Sequence, residues 1–147
     1  MNKSQLSGKL EDYLEAVWIL QERSGHAHVQ EIARLVGVHK STVSTALQSL
    51  AAKDLVHYEP YQVATLTETG LKAASAIDRR HKLLRRFMSS ILMLDIKTAD
   101  ENACRMEHAL DERVFERMTD FLDFIESSSG ENKEWLNRFK EFLVSER

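Results

Sequence analysis

The 147-residue chain is 43% hydrophobic and 29% charged, a globular composition, and its length suits one large or two small domains. Five Gly and one Pro disfavour a many-turned β protein, and the abundance of Leu, Ala, Glu, Lys and Arg predicts a mainly α protein. The lack of a long apolar run or of a signal peptide predicts a cytoplasmic protein without membrane spans. The net charge is −3, but residues 1–90 carry 12 Lys/Arg and 9 Asp/Glu whereas residues 91–147 carry 8 and 14, so we expect the two parts to have different partners.

Residues 6–23 are predicted to form the first helix. Leu10, Leu14 and Val17 recur at helical spacing and form an apolar stripe. Asp12 and Glu15 stand one turn apart on another face. Taken alone, such acids are typical of a solvated helix surface.

Residues 29–50 have the pattern of a helix-turn-helix motif. Ala33 is small enough for two helices to cross closely, and Gly37 can adopt the left-handed conformation of the turn. This motif predicts DNA binding, although it also occurs in proteins that do not bind DNA. The second helix would present polar side chains that can reach base edges and phosphates, namely Lys40, Ser41, Thr42, Ser44, Thr45 and Gln48.

The segment 55–67 predicts two short strands around a turn that contains Pro60, as in the wing of a winged helix. Thr67 can cap a long helix over about residues 68–94, which would leave the DNA-binding domain. We therefore expect a winged helix-turn-helix domain over residues 1–70 and a helical domain over residues 71–147.

Thr98 and Glu101 form an S/T-x-x-E capping box, which predicts the start of the next helix. On that helix Cys104, Glu107 and His108 stand at positions i, i+3 and i+4, so their side chains are expected to converge. A thiol, a carboxylate and an imidazole together suit Fe(II), Co(II) or Zn(II). The alternative is a buried Cys beside surface charges. The only cysteine of the chain excludes an intrachain disulfide, so its thiol is available for ligation.

Two further helices are predicted after Asp111, which can cap the first of them. The second is expected over about residues 131–145, after the break at residues 127–130. Both have broad apolar faces, which indicate a partner subunit in a symmetric dimer. The alternative is that these helices fold back on one another.

Several of these segments, in order, resemble the diphtheria toxin repressor and manganese transport regulator family. They are residues 10–15 (LEDYLE), the helix-turn-helix, residues 58–61 (YEPY) with Leu66–Thr67, Arg80–His81 and residues 103–108 (ACRMEH). The resemblance covers roughly the whole chain and implies a homodimeric, metal-activated repressor that binds a palindromic DNA operator to control metal uptake, with no small-molecule substrate. The resemblance is to the short form of the family, for which we expect no SH3-like domain of the kind that the longer members carry. The metal ligands that it implies are Asp12, Glu15, His81, Cys104, Glu107 and His108.

The metal expected from the resemblance is Fe(II) or Mn(II), with Co(II), Ni(II) or Zn(II) able to bind in vitro. Asp12 and Glu15 resemble the manganese-sensing members, whereas Cys104 resembles the iron-sensing members. Arg85 stands where many members have a carboxylate ligand of an ancillary site, and a cation there disfavours metal. Asp100 stands where some members have His and is a possible ancillary ligand.

Two other classes of protein remain open on the sequence alone. A metal-independent winged-helix regulator of the multiple-antibiotic-resistance type would share the helix-turn-helix and dimer helices, and DNA binding with and without a chelator would distinguish it. A metalloenzyme could use a Cys, His and carboxylate site to activate water, but no H-E-x-x-H spacing is present. We therefore expect a regulator rather than an enzyme.

Overall fold

The computed structural model describes residues 6–127 and 130–145. The described chain is mainly α-helical, as predicted, and divides into two compact units: the first ends at Arg79 and the second begins at Arg80. The division falls inside a long helix, whereas the sequence placed the domain boundary after residue 70. Among the described residues, no helix combines the length and the apolar character needed to cross a membrane.

The first unit begins with three helices whose ends follow from the local sequence. Ser7 caps the first helix by accepting a hydrogen bond from the Leu10 amide. Gly25 ends that helix with a left-handed φ of 81°, and Gly37 makes the turn of the helix-turn-helix with a φ of 78°. Gly37 therefore adopts the left-handed conformation that the sequence predicted. The helices are α1 (Gly8–Ser24), α2 (Val29–Val36) and α3 (Lys40–Ala52).

A small wing follows α3. Strands β1 (Val56–His57) and β2 (Thr65–Leu66) pair antiparallel, with Val56 opposite Leu66. The side-chain oxygen of Gln21 on α1 accepts a hydrogen bond from the Leu66 amide at 2.7 Å. This confirms the predicted pair of short strands around the turn that contains Pro60.

An isolated bridge extends this pairing, because Ala27 and Ala64 exchange both backbone hydrogen bonds at 2.8 Å. The wing is thereby attached to the segment between α1 and α2.

The core of the first unit lies among α1, α2 and α3. Each helix contributes an apolar stripe, and burial of each large aliphatic side chain contributes roughly 1.5–3 kcal/mol. The large side chains with no exposed surface are Leu14, Val17, Ile32, Val43, Leu47 and Leu50.

Helix α4 (Glu68–Ser90) is capped by Thr67, whose hydroxyl accepts a hydrogen bond from the Gly70 amide at 2.9 Å. This confirms the predicted cap. Gly70 is buried because the helix passes very close to the chain at Leu55, and a Cβ at position 70 would overlap the Leu55 carbonyl.

The predicted end of α4 at about Leu94 is wrong. The helix stops at Ser90, and Met93 adopts a left-handed φ of 58° in the following turn.

The second unit continues with three helices. The carboxylate of Asp95 accepts a hydrogen bond from the Thr98 amide at 3.0 Å, so Asp95 rather than Thr98 starts the first of them. Asp111 accepts a hydrogen bond from the Val114 amide at 2.9 Å, which confirms the predicted cap of the next helix. The helices are α5 (Ile96–Met106), α6 (Glu112–Ser127) and α7 (Gly130–Ser145), with a short 3-10 turn at Glu107–Ala109.

Two apolar clusters hold the second unit together. One joins Leu83 and Ile91 to Leu122 and Ile125 of α6. The other joins Leu84 and Met88 of α4 to two small residues of α5, Ala99 and Ala103. Through this cluster α4 packs on α5, which brings polar residues of the two helices within hydrogen-bond distance of one another.

Candidate DNA-binding face and metal centre

The outer face of α3 carries the side chains that the sequence predicted to contact DNA. Five of the six are exposed and Ser44 is half-buried. The Thr45 hydroxyl donates a hydrogen bond to the Ser41 carbonyl at 3.1 Å, and the Lys40 ammonium donates to the side-chain oxygen of Gln30 at 3.5 Å. The face therefore offers one cation together with small hydrogen-bonding groups, a combination that suits phosphates and base edges.

A cleft of about 800 Å³ lies beside this face, between α2, α3 and the wing. At its base the Tyr58 hydroxyl donates a hydrogen bond to the Ser44 hydroxyl at 3.2 Å. At its rim Tyr61 of the wing turn is fully exposed and has a left-handed φ of 69°. The cleft also exposes Arg34, which adds a second cation near Lys40.

The first unit contains two of the predicted metal ligands, Asp12 and Glu15. Both lie on α1, one helical turn apart as predicted, and both are half-buried.

The second unit brings together a cluster of polar side chains around His81 of α4. Its Nδ1 lies 2.6 Å from Oε2 of Glu107, and its Nε2 lies 2.9 Å from Oδ1 of Asp100. A carboxylate oxygen can only accept a hydrogen bond, and a neutral imidazole has a single N–H to donate. A neutral ring therefore satisfies only one of its two neighbours.

Glu107 has no solvent-exposed surface. Its Oε1 has no hydrogen-bond partner within the described part of the chain, since Nε2 of His108 lies 3.6 Å away. A buried polar atom left without a partner costs roughly 1–3 kcal/mol, and a charged one costs more. A cation bound to the carboxylate of Glu107 would therefore offset this cost.

The predicted placement of Glu107 and His108 on the same α-helix as Cys104 is wrong. The α-helix ends at Met106, and Glu107 and His108 lie in the 3-10 turn that follows. The tighter winding of a 3-10 turn changes where these side chains lie relative to the helix. Cys104 lies near the end of α5 with an exposed side chain, whereas Glu107 is buried.

Asp100 lies on α5 between His81 and Arg85. The hydrogen bond from His81, with the charges of His81 and Arg85, holds the pKa of Asp100 below its ordinary value of 3.8, although burial opposes this shift. The Arg85 guanidinium lies 3.6 Å from the same carboxylate oxygen that accepts from His81.

The donors of this cluster fit a divalent transition ion. Imidazole nitrogen and carboxylate oxygen are the common protein ligands of manganese, iron and zinc. Among the described residues, the partnerless buried oxygen of Glu107 is the observation that most directly favours a cation here. His81 and His108 supply the neighbouring nitrogens.

Two features of these sites were not predicted from the sequence. Tyr58 was assigned to the wing, but its hydrogen bond to Ser44 links the wing to α3. The second is the pairing of Arg85 with Asp100. The negative charge of Asp100 in the sequence is a weak signal for its pairing with the positive Arg85, because only the packing of α4 on α5 places the two charges together.

Comparison with known proteins gives two adjoining family matches. Residues 5–64 match the family described as the iron dependent repressor, N-terminal DNA binding domain. Residues 67–136 match the iron dependent repressor, metal binding and dimerisation domain. The two matches together cover most of the chain.

Relatives of similar length are described as transcriptional regulators. An uncharacterized HTH-type transcriptional regulator of Methanocaldococcus jannaschii is 37% identical over 119 residues, which cover 80% of this chain and 95% of the relative. The HTH-type transcriptional regulator MntR of Bacillus velezensis is 31% identical over 125 residues, which cover 85% of this chain and 87% of the relative. These relatives are regulators, as expected, and not enzymes.

A solved structure described as a manganese-dependent transcriptional repressor in complex with manganese is similar to this chain in both fold and sequence. The TM-score is 0.73 and the identity 33%, and the match covers 78% of this chain and 53% of the other. The chain thus spans about half the length of that solved relative. With a helix-turn-helix, a wing and a buried carboxylate between two histidines, the chain belongs to the iron-dependent repressor family of metal-dependent transcriptional repressors, which includes the MntR regulators.

Proposed function

We propose that this protein is a metal-activated homodimeric repressor that binds a palindromic operator in the cytoplasm and controls iron or manganese homeostasis. The observation that carries the proposal is the Glu107 carboxylate, which is fully buried and has one oxygen without a hydrogen-bond partner in the described residues. In a protein that functions without a cation, a buried carboxylate oxygen without a hydrogen bond would be an uncompensated cost to the stability of the fold.

The proposed ligands are the six that the family resemblance implies: Asp12, Glu15, His81, Cys104, Glu107 and His108. Three of them are carboxylates, whose mutual repulsion a divalent ion would cancel when bound. Because the ligands come from distant parts of the sequence, binding of the ion would favour one arrangement of the chain over others.

The proposed DNA contacts are made by the outer face of α3. Lys40 and the nearby Arg34 supply positive charge for phosphates, and the hydroxyls and amide of α3 supply hydrogen bonds to base edges. The predicted set for this face is Lys40, Ser41, Thr42, Ser44, Thr45 and Gln48.

The homodimer is supported by apolar side chains that remain exposed on the second unit. They include Ile96, Phe124, Phe142 and Val144, whose exposed fractions are 63%, 57%, 57% and 81%. Exposed apolar surface of this kind is typical of a subunit interface. A two-fold dimer would present two copies of α3 and would therefore select inverted repeats.

The experiment that tests the proposal is DNA binding with and without the ion. Duplexes would be selected from a random library by the full chain in Mn(II) and, anaerobically, in Fe(II), and binding to the selected duplex would be measured by fluorescence anisotropy. We expect affinity to fall about 5- to 150-fold in excess chelator, the usual range of allosteric coupling. Affinity that is the same in metal and in chelator would reject metal activation.

Two single substitutions, one in α5 and one in the 3-10 turn that follows it, test whether Glu107 binds the ion. Glu107→Gln removes the buried charge and should abolish the dependence on metal. Glu101→Gln makes the same substitution at an exposed position of α5 and should leave that dependence intact. Equal metal dependence in the two variants would remove Glu107 from the ion site.

A further inference from the structure

Two carboxylates of the second unit that lie beside His81, Asp100 and Glu107, differ in their surroundings. Glu107 is fully buried and keeps one oxygen without a hydrogen bond in the described chain. The side chain of Asp100 is 50% exposed and has the Arg85 guanidinium 3.6 Å away. Asp100 thus already lies beside a permanently charged cation, whereas Glu107 lies beside the imidazoles of His81 and His108 and keeps one oxygen that accepts no hydrogen bond in the described chain.

This difference decides on which side of the imidazole an added cation is favourable. An ion beside Asp100 would be repelled by Arg85, whereas an ion beside Glu107 would meet a buried carboxylate that needs positive charge. His81 would therefore use its Nδ1 toward the ion, because Nδ1 faces Glu107. Its Nε2 would then carry the proton and donate to Asp100, 2.9 Å away.

We propose that Asp100, paired with Arg85, is a positioning residue that orients His81 for the ion and is not itself an ancillary ion ligand. By accepting the Nε2–H bond it fixes the ring orientation and the tautomer, and it makes the Nδ1 lone pair available on the side of Glu107. Carboxylates that hold a metal-bound histidine in this way typically raise metal affinity by 10- to 100-fold. The inference rests on the proposed metal-activated function, because it assigns His81 to the ion.

The hydrogen bond itself can be measured without any metal. In ¹⁵N-labelled metal-free protein, we expect the His81 Nε2–H proton to resonate downfield and to exchange slowly with water. Asp100→Ala should make that proton exchange rapidly. Glu101→Gln, which removes a charge from the neighbouring exposed position, should leave it protected.

The role toward the ion is tested by titrating the full chain with Mn(II) and following free Mn(II) by electron paramagnetic resonance. We expect one ion per subunit at this cluster in the wild type, and the same number bound about 10-fold more weakly in Asp100→Ala. Asp100→Asn retains an acceptor oxygen and should recover most of the affinity. Glu101→Gln should bind as the wild type does.

Three outcomes would overturn the inference. The first is an Asp100→Ala variant that binds Mn(II) with wild-type affinity. The second is a wild type that binds two ions and loses one in Asp100→Ala, because Asp100 would then be a ligand. The third is a wild type that binds neither Mn(II) nor, anaerobically, Fe(II), which would also reject the proposed function, whereas the first two would leave that function standing.

Discussion

The Tyr58 hydroxyl donates a hydrogen bond to the Ser44 hydroxyl at 3.2 Å, and it thereby connects the wing to the helix proposed to contact DNA. Both groups are partly buried, so water has only limited access to the bond. Because the Ser44 oxygen is the acceptor, its own proton remains available for another acceptor, such as a phosphate or a base edge.

We expect Tyr58→Phe to lower the free energy of unfolding by about 1 kcal/mol, because it removes this hydrogen bond and leaves the ring in place. Urea denaturation followed by circular dichroism would measure the change. The matched control is Tyr61→Phe, which removes the same hydroxyl from a fully exposed ring and should change stability by less than about 0.5 kcal/mol. Equal stability of both variants would show that the bond to Ser44 contributes nothing.

Gly70→Ala tests the close approach of α4 to Leu55. A Cβ at this buried position would overlap the Leu55 carbonyl, so the backbone must shift, and we expect a loss of about 1–3 kcal/mol in the free energy of unfolding. Gly130→Ala in α7 places the same methyl group where, apart from the adjacent residues and the helix's own backbone, no atom of the described chain lies within 4 Å, and it should be neutral or slightly stabilising. A destabilised Gly130→Ala together with an unaffected Gly70→Ala would contradict this packing.

The Asp95 cap predicts a pH dependence of stability. The Thr98 hydroxyl and amide both donate to Asp95 and lower its pKa from the ordinary value of 3.8. A carboxylate whose folded-state pKa is lowered stabilises the protein above its unfolded-state pKa, and this stabilisation is lost as the pH falls through the folded-state value. Asp95→Ala should therefore lower the melting temperature at neutral pH and have a much smaller effect well below pH 3.8.

The control for this prediction is Asp123→Ala, at an exposed position of α6, whose effect on the melting temperature should be small at either pH. A melting-temperature difference between wild type and Asp95→Ala that stays constant across the acid range would mean that the ionised carboxylate is not what stabilises α5.

Cys104→Glu tests which metal is sensed. A thiolate favours Fe(II), Co(II) and Zn(II) more than the harder Mn(II), whereas a carboxylate favours Mn(II). We expect the wild type to prefer Fe(II) slightly and the variant to shift activation of DNA binding toward Mn(II), as measured by anaerobic titrations against a selected duplex. Cys104→Ala, which removes the thiol without adding a carboxylate, should lose Fe(II) affinity without gaining Mn(II) affinity. An unchanged ratio in Cys104→Glu would exclude Cys104 from the choice of metal.

Most helix ends could be predicted because their causes are local. Gly25 and Gly37 supply left-handed turns, and Thr67 and Asp111 accept hydrogen bonds from the amides three residues later. Each of these features depends on a few adjacent residues, so the sequence alone indicates them.

The start of α5 could not be predicted so simply, because two good caps compete there. Thr98 has the correct spacing to Glu101, but Asp95 accepts hydrogen bonds from both the amide and the hydroxyl of Thr98. The end of α4 was misplaced for a different reason. Ile91 lies beyond the helix and yet is buried, so the apolar periodicity continues past the last helical residue.

The ion site was predictable in composition but not in geometry. The spacing of Glu107 and His108 indicated neighbouring ligands, yet their placement in a 3-10 turn and the complete burial of Glu107 depend on tertiary packing. Asp100 and Glu107, which both lie beside His81, come from α5 and from the turn after it, and no spacing within a single helix relates them to α4.

The bridge between Ala27 and Ala64 also affects how the chain would respond to a break in its covalent backbone. Chymotrypsin cleaves after aromatic residues, and the ring of Tyr61 in the wing turn is fully exposed. We therefore expect chymotrypsin to cleave in this turn. The fragment that begins after such a cut would still be fastened by the two hydrogen bonds to Ala27 and by the bond from the Leu66 amide to Gln21. The two fragments would therefore remain associated as one folded particle, visible as two bands under denaturing electrophoresis and as a single peak in gel filtration.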